Sequence, residues 1–140
     1  MTSKISVQQV NDFMEKAFEG RKNQTRPEIT VMEDGRAVIR LDVNKNHIRP
    51  GGFVSGPTQM ALADHAAYVA VFTKIGIVPM AVTSNLNINF LRPCKGDWVE
   101  ADARIIKIGR TLAVMEVNIK GASSDKVSSQ STVTYSIPMG

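Results

Sequence analysis

Apolar and polar positions follow two different periods along the chain, and the places where the period changes mark out its elements. From 6 to 19, Val7, Val10, Phe13, Met14, Ala17 and Phe18 recur at spacings of three and four, the stripe of an amphipathic helix. Ser6 with Gln9 three residues on predicts a capped start, and Gly20 predicts the stop. A polar connection over 21–27 ends at Pro27. "EITVME" and "RAVIRLDV" then alternate apolar with polar around "DG" at 34–35, which predicts a hairpin. Residues 44–56 are rich in Gly, Pro and Asn and read as a loop. Pro57 suits the first turn of a helix, predicted over 57–75 with its end near Gly76. After Pro79 the period becomes two and predicts strands over 81–91, 97–108, 111–120 and 126–137. Gly109-Arg110 is the expected tight turn between two of them, with Gly109 free to take positive φ, and "GASSD" links the last two.

Successive strands with short connections must run antiparallel. The helix over 57–75 is apolar on nearly every side and needs cover all round. Together these predict an α+β fold in which a curved antiparallel sheet of five to six strands wraps that helix. The 140 residues form a single domain, with 1–26 as an N-terminal helix and its connection.

Composition narrows the function. The net charge is +4, but the Lys and Arg residues are scattered and only 6% of residues are aromatic, which argues against nucleic acid as a partner. Scattered cations suit phosphates on a small ligand better. The most apolar run, 60–72, is too short to span a bilayer and includes Asp64 and His65. No secretory leader is visible, and Cys94 is the one cysteine, so the chain reads as cytoplasmic. Two isolated histidines and one cysteine make no metal-site spacing, so no metal is expected.

Candidate chemistry centres on Asp64. Met60, Ala61, Ala67 and Tyr68 are its neighbours on the same helical face, so the carboxyl sits within an apolar stripe. It lies too far from the helix start to serve the dipole, and the run leaves no wet face. Two readings remain: a buried acceptor paired with a hydroxyl or a cation, or a functional carboxylate. His65 points about 100° away from Asp64 and reads as packing, and His47 reads as a hydrogen-bonding loop residue. "GGFVSGP" at 51–57 leads into the helix, and a free N–H at that helix start, at Gly56, suits developing negative charge. A carbonyl held there, with Asp64 eight residues on, would suit acyl transfer. In "TSNLNIN", Thr83, Asn85, Asn87 and Asn89 are expected on one strand face, with Val82, Leu86, Ile88 and Phe90 on the other.

"SGPTQMALAD" at 55–64, "AVTSNLNINFLRP" at 81–93 and "ADARIIKIGRTLAVMEVNI" at 101–119 resemble, in this order, the hotdog-fold acyl-CoA thioesterases of the small phenylacetate-pathway type. The resemblance covers about 28–137. It implies a hotdog fold, a homodimer or homotetramer with substrate bound where subunits meet, and a coenzyme A thioester as substrate with no cofactor. Asp64 would be the general base or nucleophile, Gly56 the oxyanion donor, and Thr83 a hydroxyl that orients the attacking water. Lys107 and Arg110 would meet the phosphates of coenzyme A. Arg49, Ser55, Asn85 and Tyr68 would line the substrate site, with Met60, Phe53 and Phe90 adding apolar surface. Three neighbours depart from the family pattern: Ser55 replaces its His, Pro57 its second Gly, and Arg49 a frequent Asn. Arg49 is also a candidate ion-pair partner for Asp64. A non-catalytic acyl-CoA-binding protein is the alternative that these departures motivate. A hydratase would need His47 as its catalytic base.

Overall fold

The computed structural model describes residues 3–17 and 26–138. Helix α1 spans Val7–Ala17 and begins with the expected box: Gln9 N–H donates to Ser6 Oγ at 3.1 Å, and Ser6 N–H donates to Gln9 Oε1 at 2.8 Å. The expected stop at Gly20, and the contribution of Phe18 to the stripe, lie outside the described residues. So does most of the 21–27 connection.

Strands β1 (Glu28–Glu33) and β2 (Arg36–Asp42) form the predicted hairpin, and Gly35 takes φ 81° in its turn. That turn is fastened to the long helix α2 (Gly56–Ile75): Gly35 N–H donates to Thr73 Oγ1 at 2.9 Å, and Lys74 pairs with Asp34 at 3.0 Å. The predicted loop over 44–56 has more structure than its composition implied. A 3-10 turn over Lys45–His47 leads into a ribbon of β3 (Ile48–Arg49) and β4 (Phe53–Val54). Pro50 and Gly51 (φ 107°) occupy the corners of its turn, closed by Gly52 N–H on Arg49 O at 3.1 Å.

The remaining strands are β5 (Val82–Phe90), β6 (Trp98–Ile108), β7 (Leu112–Gly121) and β8 (Ser129–Ser136). Six strands make one antiparallel sheet in the order β1-β2-β6-β7-β8-β5. The sheet curves round α2 in the hotdog arrangement. The β6–β7 turn falls at Gly109-Arg110 as expected, closed by Gly109 N–H on Leu112 O at 2.8 Å, but Gly109 does not adopt positive φ.

The pattern of α2 explains how the sheet can close on it. Ala63, Ala66, Ala67 and Ala70 are fully buried, and these small side chains admit strands on several sides at once. Val69, Val71 and Phe72 fill the wider gaps, and Ala101, Ala103, Met115, Val117 and Val133 meet them from the sheet. No described helix is long and apolar enough to cross a membrane.

Phe72 is wholly buried, with Tyr68 against its ring at 4.4 Å and Phe13 of α1 edge-on at 5.8 Å. Phe72→Ala is expected to lower the unfolding free energy by about 3–5 kcal/mol in urea titrations, because the surrounding alanines cannot collapse into the space.

Candidate active site

Asp64 lies on the stretch of α2 that faces β5 and β8, half-buried. Its Oδ1 accepts from Thr83 Oγ1 at 2.5 Å and from the hydroxyl of Tyr135 at 2.8 Å. Its Oδ2 has no hydrogen-bond partner among the described residues. The carboxylate is therefore held by one oxygen and open at the other. Hydroxyls satisfy one oxygen of the group, as the buried-acceptor reading of the sequence expected.

Thr83 reaches Asp64 because of an irregularity that alternation could not reveal. Thr83 pairs with Tyr135 across β5 and β8, but the next pair is Asn85 with Thr134, so Ser84 is the extra residue of a β-bulge. Cross-strand partners share a face. Thr83 thus joins Leu86, Ile88 and Phe90 on the side toward α2, opposite Tyr135, Val133, Ser131 and Ser129. This corrects the expected face: Asn85, Asn87 and Asn89 lie on the outer surface without Thr83. Asn85 is directed away from Asp64.

The start of α2 is simpler than its motif suggested. Ser55 is the N-cap, accepting from Thr58 N–H at 3.3 Å, and Gln59 N–H bonds Ser55 O at 3.1 Å. Pro57 has no N–H. The N–H of Gly56 is then the one first-turn donor without an acceptor among the described residues. A Cβ at Gly56 would lie 3.2 Å from the ring of Phe90, so glycine leaves room for that ring. Gly56 and Asp64 are about 12 Å apart along the helix axis at 1.5 Å per residue. One carbonyl cannot meet both within a single chain, which corrects the simple same-helix geometry expected from their spacing.

Arg49 does not pair with Asp64. Its guanidinium lies over the Phe53 ring at 5.1 Å, and its Nε donates to Pro50 O at 3.1 Å. Tyr68 donates to Pro79 O at 3.1 Å and stacks on Tyr135 with ring centroids 5.7 Å apart. Lys107 and Arg110 are exposed. They flank the sheet row Thr83–Tyr135–Ala113–Ile108, roughly 14 Å from Thr83 by three strand spacings. Met60 and Phe90 are exposed apolar surface near Gly56. His47 is a loop hydrogen-bonder as expected, its Nδ1 accepting from Asn44 N–H at 3.0 Å.

Tyr135 is the site residue that sequence reasoning missed. It sits in an unremarkable alternating strand, 71 positions from the residue it bonds. Its available signal was weak: a lone tyrosine on the inner face of the last strand. Burial pushes its phenol well above the ordinary range, so the hydroxyl stays a donor. No group of three or more metal-ligating side chains occurs among the described residues.

The chain matches the model of the thioesterase superfamily over residues 51–128, more than half its length, and belongs to that family of thioester hydrolases. It is 32% identical over 92 residues to the 1,4-dihydroxy-2-naphthoyl-CoA hydrolase of Listeria monocytogenes, covering 66% of this chain and 75% of the relative. A crystal structure of a "putative thioesterase" from Silicibacter sp. TM1040 superposes with a TM-score of 0.86 and 34% identity, covering 99% of this chain and 95% of the other. The phenylacetic acid degradation protein PaaI of Thermus thermophilus gives 0.71 and 25% identity, with 91% and 99% covered.

His65, beside Asp64, carries a pH prediction. Burial pushes its imidazole below the ordinary value of 6.5, and the neighbouring Asp64 charge opposes this more weakly. As the pH falls below that value the unfolded chain takes up a proton that the folded chain refuses, so folding stability drops. His65→Gln is expected to lose less stability than the unsubstituted protein between about pH 7 and pH 5 in urea melts.

Proposed function

We propose that the protein hydrolyses acyl-CoA thioesters to the free acid and coenzyme A, with Asp64 as its reacting carboxylate. The observation that carries this reading is the state of Asp64: embedded in an apolar helix, held at Oδ1 by two hydroxyls and open at Oδ2. As a base, Oδ2 takes a proton from water while the water oxygen attacks the thioester carbon. The C–S bond then breaks, and the proton passes to the leaving sulfur. As a nucleophile, Oδ2 attacks the carbon itself, expelling the thiolate, and water opens the resulting anhydride. Either path places negative charge on the carbonyl oxygen, which the free N–H of Gly56 is suited to receive.

The 12 Å between Gly56 and Asp64 makes the active unit a pair of chains. In a two-fold dimer the Gly56 of one chain faces the Asp64 of the other, and two equivalent sites result. Lys107 and Arg110 are exposed cations that suit the phosphates of coenzyme A. The exposed apolar surface of Met60 and Phe90 suits the acyl group.

The first test is thiol release from aryl-CoA and short- to long-chain alkyl-CoA esters. Release is expected from the unsubstituted protein and its collapse in Asp64→Asn. Tight binding of these esters without release would favour the non-catalytic reading. Gly56→Pro removes the N–H while Ser55, at ψ 154°, already has the backbone that precedes proline. It is expected to lower kcat by about a hundredfold or more. Refolding Asp64→Asn and Gly56→Pro chains together is expected to restore roughly a quarter of full activity, since half the dimers are mixed and each holds one intact site. No recovery on mixing would reject the shared site.

A further inference from the structure

We infer that Tyr135 is a positioning residue: with Thr83 it fixes Oδ1 of Asp64 and thereby selects Oδ2 as the oxygen that reacts. The inference deepens the function proposed above and rests on Asp64 being the reacting carboxylate.

Three features of the geometry support it. The Tyr135 hydroxyl lies 2.8 Å from Oδ1 and 3.1 Å from the main-chain oxygen of the same residue, so it spans side chain and backbone and holds the torsions between them. Thr83 approaches the same Oδ1 from β5, directly opposite Tyr135 in the sheet. The Tyr135 ring is itself immobilised: it is buried, stacked on Tyr68, and Tyr68 is tied to Pro79 O at 3.1 Å. The chain of constraint runs from the 76–81 connection through Tyr68 and Tyr135 to a single carboxylate oxygen. The β-bulge at Ser84 completes it, because regular pairing would turn Thr83 outward.

Such a clamp has a consequence that packing alone does not. Fixing Oδ1 sets the direction of Oδ2 toward the reacting carbon, which governs turnover and leaves ester binding alone. Tyr135→Phe keeps the ring and the stack and removes only the donor.

The test compares Tyr135→Phe with the unsubstituted protein on the acyl-CoA ester it hydrolyses fastest. The variant is expected to keep KM within about twofold while kcat falls roughly ten- to a hundredfold. A crystal structure of Tyr135→Phe, which needs no turnover, should show the Asp64 carboxyl rotated from its orientation in the unsubstituted protein. An unchanged kcat, a loss carried by KM instead of kcat, or a carboxyl that keeps its orientation overturns the inference. If no ester is hydrolysed by the unsubstituted protein, the proposed function fails, and the carboxyl orientation in the variant alone decides the clamp. Should Tyr135→Phe not fold, Thr83→Val gives the same readings from the other side of Oδ1.

Discussion

A carboxylate set in an apolar helix constrains everything around it. Leaving a half-buried carboxylate without a partner against hydrocarbon carries a desolvation cost. The fold answers with hydroxyls instead of a cation: Thr83 and Tyr135 solvate one oxygen and bring no charge of their own. A neutral clamp holds the group without quenching it. An arginine in the same place would hold it more tightly but pair with it, and Arg49 is instead turned onto Phe53.

The sheet brings those hydroxyls to Asp64. The alanines of α2 let β8 come close enough for Tyr135 to reach Asp64. The bulge at Ser84 rotates Thr83 inward while leaving Leu86, Ile88 and Phe90 on the core side. At the other end of the helix the sequence departures acquire a joint meaning. Ser55 spends its side chain on the cap, Pro57 withholds an N–H, and Gly56 is left as the single open donor of the first turn.

The architecture was legible in the sequence because most of it rests on local periods. The hairpin at "DG", the capping box of Ser6 and Gln9, the start of α2 beside Pro57 and the four later strands each follow from residues a few positions apart. The family was legible too, since "SGPTQMALAD" and the strands after it stand in a characteristic order. Asp64 and Gly56 were legible as candidates because each is out of place by local rules: a charge in an apolar stripe, and a glycine at a helix start.

Tertiary structure decided what those candidates can do. Alternation placed Thr83 among the asparagines, and only pairing with β8 shows the extra residue that turns it inward, because register is a property of two strands and not of one. Tyr135 carries no local anomaly, and its importance comes from a contact closed across most of the chain. The separation of Gly56 from Asp64 becomes a constraint only once both stand on one rigid helix, where eight residues become about 12 Å. Sequence periodicity thus determined which elements form and which residues are chemically conspicuous. The packing of β5 and β8 against α2 decided which carboxylate oxygen is held and which is free, since that depends on distances no single segment contains.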